Sequence, residues 1–113
     1  MTRIYKILGQ DAWETAVAAG RFDGAAIDLA DGYIHLSTAD QAAETARRHF
    51  RGQADLVLVA FDAADFGPAL RWEPSRGGQL FPHVYGSIDP GLARGVTAAP
   101  LGSEGEPLLD LDA

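Results

Sequence analysis

Two short segments place a histidine two residues from an aromatic side chain. DGYIHLST contains Tyr33, His35 and Ser37 at alternate positions, and LFPHVYG contains His83 and Tyr85 at the same spacing. Alternate residues of a strand share one face, so each set points the same way if both segments are strands. Imidazole exchanges protons near neutral pH and acts as a general acid or base within hydrogen-bond reach of a substrate. His35 and His83 are therefore the candidate catalytic residues.

The segment RWEPSRGG lies between the two histidines and contains Trp72, Glu73 and Arg76. Each has a structural interpretation as well as a ligand-binding one: an aromatic core residue, or a local ion pair worth under about 1 kcal/mol. His35, His83 and Glu73 together would suit iron or zinc, but no two of them have a short ligand spacing, so no metal site is predicted. Nucleophilic hydrolysis is poorly supported, because a G-x-S-x-G motif is missing.

Composition restricts the kinds of protein that this chain can be. Its 113 residues suit one domain, and the absence of cysteine excludes disulfides and thiolate chemistry. The net charge of −7 makes nucleic acid an unlikely partner, since phosphate backbones attract basic surfaces. The longest apolar run, LVLVAF, is too short to cross a membrane, and the N-terminal residues show no signal-peptide pattern. We therefore expect a cytoplasmic protein without membrane partners.

The first half of the chain predicts a β-α-β-α order. TRIYKIL is typical of a strand, and Asp11 with Glu14 resembles a capping box for a helix that ends at Gly20. Residues 21–32 are predicted to be a loop, because two Asp-Gly pairs interrupt them. Residues 33–37 then form a strand, and Thr38 with Gln41 caps a helix over residues 39–50.

The second half predicts strands. DLVLVAFD lacks polar alternation and so indicates a central strand, followed by short strands at LRWE, LFPHVYG and ARGVTAAPL. Pro82 cannot donate to a ladder, so its strand is expected at an edge or at a bulge. The sum is an α+β fold, a compact split or strongly bent sheet with two short helices. Residues 1–102 are predicted to form the single domain, and residues 103–113 an acidic tail.

The order of IYKIL, DGYIHLST, LVLVAFD and LRWEPSRGGQLFPHVYG closely resembles the domain of unknown function 952 family of small bacterial proteins. The resemblance extends from Ile4 to about Leu101. That family is more distantly similar to the ADP-ribosyltransferase superfamily, whose split sheets bind NAD in a cleft. The resemblance implies the same cleft here, with NAD as a substrate and no resident cofactor.

The superfamily motif falls on Lys6, His35 and His83. Lys6 stands where relatives often have histidine, and His83 stands where a glutamate normally orients a ribose hydroxyl. The ligand is then expected to be a small nucleotide with stacking, phosphate and ribose contacts, for which the candidate residues are Tyr5, Lys6, Tyr33, Ser37, Thr38, Trp72, Glu73, Arg76 and Tyr85. The resemblance leaves two functions open: an ADP-ribosyltransferase-like or phosphotransferase-like enzyme, and a module that binds a small ligand or a protein without chemistry. It does not predict the oligomeric state.

Overall fold

The computed structural model describes residues 2–111, and this part of the chain contains two antiparallel sheets and three α-helices. The strands are β1 Arg3–Gly9, β2 Ile34–His35, β3 Ser37–Thr38, β4 Leu56–Asp62, β5 Leu70–Pro74, β6 Leu80–Val84 and β7 Gly95–Ala99, and the helices are α1 Gln10–Ala19, α2 Ala26–Asp31 and α3 Ala39–His49. The predicted α+β class and the split sheet are confirmed. Residues 1, 112 and 113, which the predicted domain and tail include, lie outside the described residues.

The larger sheet has the order β3-β1-β4-β7, with β4 in the middle. Every residue of β4 is buried, as its continuous apolar sequence predicts for a strand covered on both faces. Val57, Val59 and Phe61 pack in one core cluster with Trp13 of α1. Leu56 and Leu58 pack in a second cluster, which also contains Ala46 of α3. The two predicted helices therefore cover opposite faces of this sheet.

The smaller sheet has the order β2-β6-β5, so β6 is central and the prediction of an edge strand is wrong. The register aligns His35 with His83 and therefore Leu36 with Pro82, just beyond the end of β2. The carbonyl of Pro82 accepts from the N–H of Leu36 at 3.0 Å. The N–H and C=O groups of one residue point to the same side of a strand. The missing N–H of Pro82 would therefore point toward Leu36, where the pairing of β6 with β2 ends.

Two helix predictions need correction. Helix α2 occupies part of residues 21–32, which were expected to be a loop, and it ends before Gly32 at φ +86°. A helix of six residues gains little from propensity, so its stability comes from tertiary contacts that the sequence does not display. Helix α1 begins at Gln10 after Gly9, which places Asp11 inside the first turn and not at the cap.

The segment DGYIHLST crosses from one sheet to the other. Strand β2 pairs with β6, whereas β3 pairs with β1 through Tyr5 with Ser37. The prediction of a single strand over residues 33–37 is therefore wrong, although both parts are extended. The Thr38 cap of α3 is confirmed, since its N–H donates to Gln41 Oε1 at 3.0 Å. The crossing places His35 beside the junction of the two sheets.

Candidate functional site

A buried carboxylate connects β1, α2 and β2. The Asp28 side chain is 1% exposed, and Lys6 Nζ lies 2.9 Å from its Oδ2 and 3.1 Å from its Oδ1. Oδ2 also accepts from the backbone N–H of Ala25 at 2.8 Å. Lys6 Nζ also donates a hydrogen bond, at 2.9 Å, to the carbonyl oxygen of His35. These contacts hold the ammonium group against Asp28 and the backbone of β2.

His35 lies between two carboxylates. Its Nδ1 is 2.7 Å from Asp28 Oδ1, and its backbone N–H donates to the same oxygen at 3.0 Å. Its Nε2 is 3.0 Å from Oδ2 of Asp31, the last residue of α2. An ionised carboxylate only accepts hydrogen bonds, so His35 donates from Nδ1 to Asp28, and Asp31 stands beside the other ring nitrogen.

Burial and charge act in opposite directions on Asp28. Burial alone would raise its pKa, but the hydrogen bonds from His35 and the charge of Lys6 are together stronger, and the pKa of Asp28 lies well below its usual value. The pKa of Lys6 is lowered, because burial outweighs the attraction of Asp28. Asp28 is therefore ionised and accepts hydrogen bonds from all of its neighbours.

The second histidine has its own carboxylate. His83 Nδ1 lies 2.8 Å from Glu73 Oε1, and the same oxygen accepts from the Tyr85 hydroxyl at 2.8 Å. These two hydrogen bonds, first from His83 and then from Tyr85, lower the pKa of Glu73. With Nδ1 donating, the neutral ring carries its lone pair on Nε2, and within residues 2–111 no side chain or backbone group binds that nitrogen.

Aromatic rings join the two histidines on one face of the small sheet. The Tyr33 ring lies 4.6 Å from the His35 ring, 4.2 Å from the His83 ring and 5.3 Å from the Tyr85 ring, centroid to centroid. The Arg71 guanidinium lies 4.6 Å from the centre of the Tyr85 ring. These contacts fix the planes of the imidazole rings and leave little rotamer freedom at the site.

Both histidines line a cavity of about 540 Å³ with walls from both sheets and from α2 and α3. Strand β3 pairs with β1 only at Ile4 and Tyr5, so the following edge of β1 faces the cavity. The predicted site residues in its wall are Tyr5, Lys6, His35, Ser37, Arg76 and His83. The sequence thus identified six residues that the fold brings to one cavity.

Arg76 and two hydroxyl groups form a polar part of the wall. Arg76 Nε lies 2.9 Å from Glu44 Oε2, and its guanidinium stacks 4.9 Å from the centre of the Phe81 ring. Thr45 Oγ1 lies 3.0 Å from Ser37 Oγ and accepts from Arg76 at 3.4 Å. A guanidinium beside hydroxyl donors is suited to phosphate or ribose oxygens.

Five predicted ligand residues lie outside the cavity wall. Tyr33, Glu73 and Tyr85 lie behind the histidines, in the contacts described above. Thr38 precedes α3 as its N-cap residue. Trp72 pairs with Pro82 in the β5–β6 register, so alternation places it on the face opposite His83. These positions do not allow direct stacking of a ligand on Trp72 within this cavity.

Sequence reasoning missed three residues of the site, Asp28, Asp31 and Thr45. Asp28 and Asp31 lie in a segment that the sequence predicts to be a loop, and the helix predicted over residues 39–50 gives Thr45 no role. The spacing of Asp28 and Asp31 is that of one helical turn, and Asp31 with His35 is an i,i+4 pair. That spacing was the available signal, but it required recognising α2 as a helix.

Two further properties concern metals and membranes. Across residues 2–111, no group of three or more histidine, cysteine, aspartate or glutamate side chains is arranged to hold a metal ion, so the alternative metal set of His35, His83 and Glu73 has no geometric support. None of the helices in the same range is long and apolar enough to span a bilayer.

The chain is similar in sequence and structure to a protein of Caulobacter crescentus, CC0527. The crystal structure of CC0527 is 50% identical over 96% of this chain and 95% of its own, with a TM-score of 0.93. Its solution NMR structure covers 95% and 92% of the two chains with a TM-score of 0.85. No curated protein matches the sequence. The family model described as "Protein of unknown function (DUF952)" matches residues 7–95, and the chain belongs to that family.

Proposed function

We propose that this protein binds a small nucleotide-like ligand, such as NAD or ADP-ribose, in the cavity that contains both histidines. The observation that carries the proposal is the convergence of His35, His83 and Arg76 on one cavity that also presents the Ser37 and Thr45 hydroxyls. Its volume of about 540 Å³ is within the usual range for ligand sites. Phe81 and Ile7 supply apolar walls for a base or a sugar face.

Arg76 is the residue best suited to an anionic part of the ligand. Its side chain is 18% exposed, and its position over Phe81 holds the guanidinium at the cavity wall. Lys6, which the superfamily resemblance suggests for the pyrophosphate, is less suitable because its ammonium group is already held by Asp28 and the His35 carbonyl. The net charge of −7 does not oppose local binding, since a pocket can differ in sign from the whole surface.

If the ligand is transformed, His83 is the proposed acid–base residue. Glu73 holds Nδ1, which leaves the Nε2 lone pair to accept a proton from a ribose hydroxyl of the ligand. An ADP-ribosyltransferase-like or phosphotransferase-like reaction would then depend on His83 and Glu73, with the His35 ring held in place beside them. The distant superfamily resemblance suggests this chemistry.

A non-catalytic binding module is the second candidate. The observation that favours it is the saturation of Lys6 and His35, whose polar atoms are all engaged with Asp28, Asp31 or backbone. Groups that are already held by protein partners can position a ligand but exchange protons poorly. On this hypothesis the cavity recognises its ligand and His83 is one more hydrogen-bonding group.

Binding is tested by titrating NAD and ADP-ribose into the isotope-labelled protein and following backbone amide shifts. Tryptophan fluorescence is a poor reporter, because Trp13 is in the core and Trp72 is on the far face of the small sheet. Arg76→Ala should weaken binding about tenfold or more if it loses a charge-assisted hydrogen bond of roughly 1.5–3 kcal/mol. Arg48→Ala is the matched control, since Arg48 also pairs with Glu44 but lies outside the cavity wall.

No shift of cavity residues at millimolar NAD or ADP-ribose would overturn the nucleotide proposal. The two candidate functions are separated by His83→Ala. Loss of turnover with binding retained supports an enzyme, whereas binding that weakens without any detectable product in the wild type supports the module.

A further inference from the structure

Asp31 occupies one side of His35 at the mouth of the cavity. Its Oδ2 lies 3.0 Å from His35 Nε2, and both residues line the cavity wall. The Asp31 side chain is 44% exposed, in contrast to the 1% of Asp28 on the other side of the ring. The two carboxylates that hold His35 therefore differ in how easily water or a ligand can replace them.

The structural role of Asp31 is limited compared with that of Asp28. Within residues 2–111, His35 is its one polar side-chain partner, whereas Asp28 accepts from Lys6, Ala25 and His35. Asp31 is also the last residue of α2, and a negative charge at that end of a helix is unfavourable. The requirements of the helix therefore do not explain a carboxylate at this position.

We propose that the Asp31 carboxylate occupies a position beside His35 Nε2 that a phosphoryl oxygen takes in the complex. When the ligand binds, its phosphoryl group displaces the Asp31 carboxylate from His35 Nε2. This deepens the proposed function and rests on it, because it assigns one anionic group of the nucleotide-like ligand to one atom of the cavity. Asp28 keeps His35 Nδ1 and its ring orientation during the exchange. Asp31 moves toward solvent, and the His35 ring retains an anionic partner on each side.

The exchange makes the site selective for charge. A phosphoryl group carries more negative charge than one carboxylate and can also approach Arg76 across the cavity, so it competes well for His35. A neutral nucleoside has no group that replaces the carboxylate, and its binding would leave His35 Nε2 bound to Asp31. Anionic ligands are therefore preferred even though an acidic residue stands at the cavity mouth.

The test uses inorganic pyrophosphate as the probe, with the wild type, Asp31→Asn and Asp31→Ala. Both variants should bind pyrophosphate about two- to fivefold more tightly, the range expected when an exposed ion pair stops competing. Side-chain NMR of histidine should show the His35 Nε2 signal moving on binding to the wild type. Asp11→Asn, which removes the same charge from an exposed position of α1, should bind as the wild type does.

Equal affinity of the Asp31 variants and the Asp11 control would overturn the proposal, as would an unchanged His35 signal or an absence of pyrophosphate binding in every variant. Tighter pyrophosphate binding by the Asp31 variants without binding of NAD or ADP-ribose would support the phosphoryl position and refute the nucleotide proposal. Binding of NAD or ADP-ribose, together with no effect of the Asp31 substitutions on affinity, would support the nucleotide proposal and refute the phosphoryl position.

Discussion

His35 and His83 are register partners on β2 and β6, with ring centroids 5.3 Å apart, yet each ring binds a different carboxylate. Asp28 holds His35 from α2, and Glu73 holds His83 from β5. The Asp28 carboxylate is buried with Lys6, whereas the Glu73 side chain is 32% exposed. The two pairs should therefore respond differently to substitution: the first through stability, the second through proton chemistry.

Asp28→Asn is expected to destabilise the protein by about 3–5 kcal/mol, the usual cost of leaving a buried charge without its partner. The substitution removes the negative charge that pairs with Lys6. In addition, the amide cannot accept every hydrogen bond that the carboxylate accepts. Urea unfolding followed by circular dichroism measures the effect. Asp23→Asn, at an exposed carboxylate, should change stability by less than about 1 kcal/mol. If Asp28→Asn lowers the free energy of unfolding by an equally small amount, the buried ion pair of Asp28 and Lys6 does not stabilise the fold as expected.

Stability should fall as the pH is lowered through the acid range, and Asp28 should account for part of the fall. Its folded pKa is lower than the ordinary 3.8, so on acidification the unfolded chain takes up the proton first. The contribution is thus complete above the unfolded pKa and is lost as the pH falls from there toward the folded value. Unfolding free energies measured between about pH 5 and pH 2.5 should decline less steeply in Asp28→Asn. Parallel slopes in the two proteins would show that Asp28 titrates normally.

Local sequence patterns predicted correctly those elements that depend on residues close to one another in the sequence. The unbroken apolar run of β4 and the Thr38 cap of α3 depend on neighbours in sequence, and both were predicted correctly. The split at Leu36 could not be predicted, because alternation is the same whether residues 33–37 pair with one sheet or two. The prediction that the strand of Pro82 lies at a sheet edge was wrong. Proline is excluded from a central strand only where its missing N–H would face a paired residue of the neighbouring strand.

The candidate site shows the same limit. His35 and His83 could be singled out because each follows a strand pattern with aromatic companions, and the fold brings both to one cavity. Asp28 could not be singled out, since its partner Lys6 is on a strand that precedes it by a whole helix, and its own segment is predicted as a loop. Long-range ion pairs leave no periodic signal in a sequence.

Gly24→Ala should be more damaging than Gly32→Ala, although both glycines have positive φ. Gly24 has φ +118°, and a Cβ there would lie 2.8 Å from the Asp28 Cβ. Gly32 has φ +86°, and nothing lies within 4 Å of its Cβ position. The second variant should lose about 1–2 kcal/mol from the left-handed conformation alone. The first should lose more and displace Asp28, which unfolding experiments and the His35 side-chain signals would report. Equal losses would mean that the contact with Asp28 relaxes without cost.

Glu73→Gln tests the second pair through Tyr85. In the wild type the hydrogen bond to the Glu73 carboxylate raises the pKa of Tyr85 above its ordinary 10.0, with burial and the charge of Glu73 acting in the same direction. The amide removes the charge, so the pKa of Tyr85 should fall in the variant, as measured by NMR of labelled tyrosine side chains during alkaline titration. Glu14→Gln, which removes a carboxylate on the surface of α1, should leave the Tyr85 titration unchanged.

The same variant should alter His83. A carboxylate fixes the proton on Nδ1, because it can only accept, whereas a glutamine side chain can either accept from Nδ1 or donate to it. Histidine side-chain NMR should therefore show a single Nδ1–H tautomer in the neutral wild type and a mixture of tautomers in Glu73→Gln. If the tautomer is the same in both proteins, Glu73 does not orient the His83 ring. That result would contradict the proposal that His83 is the acid–base residue of the cavity. If it changes, Glu73 is a positioning residue, since it determines which nitrogen carries the lone pair.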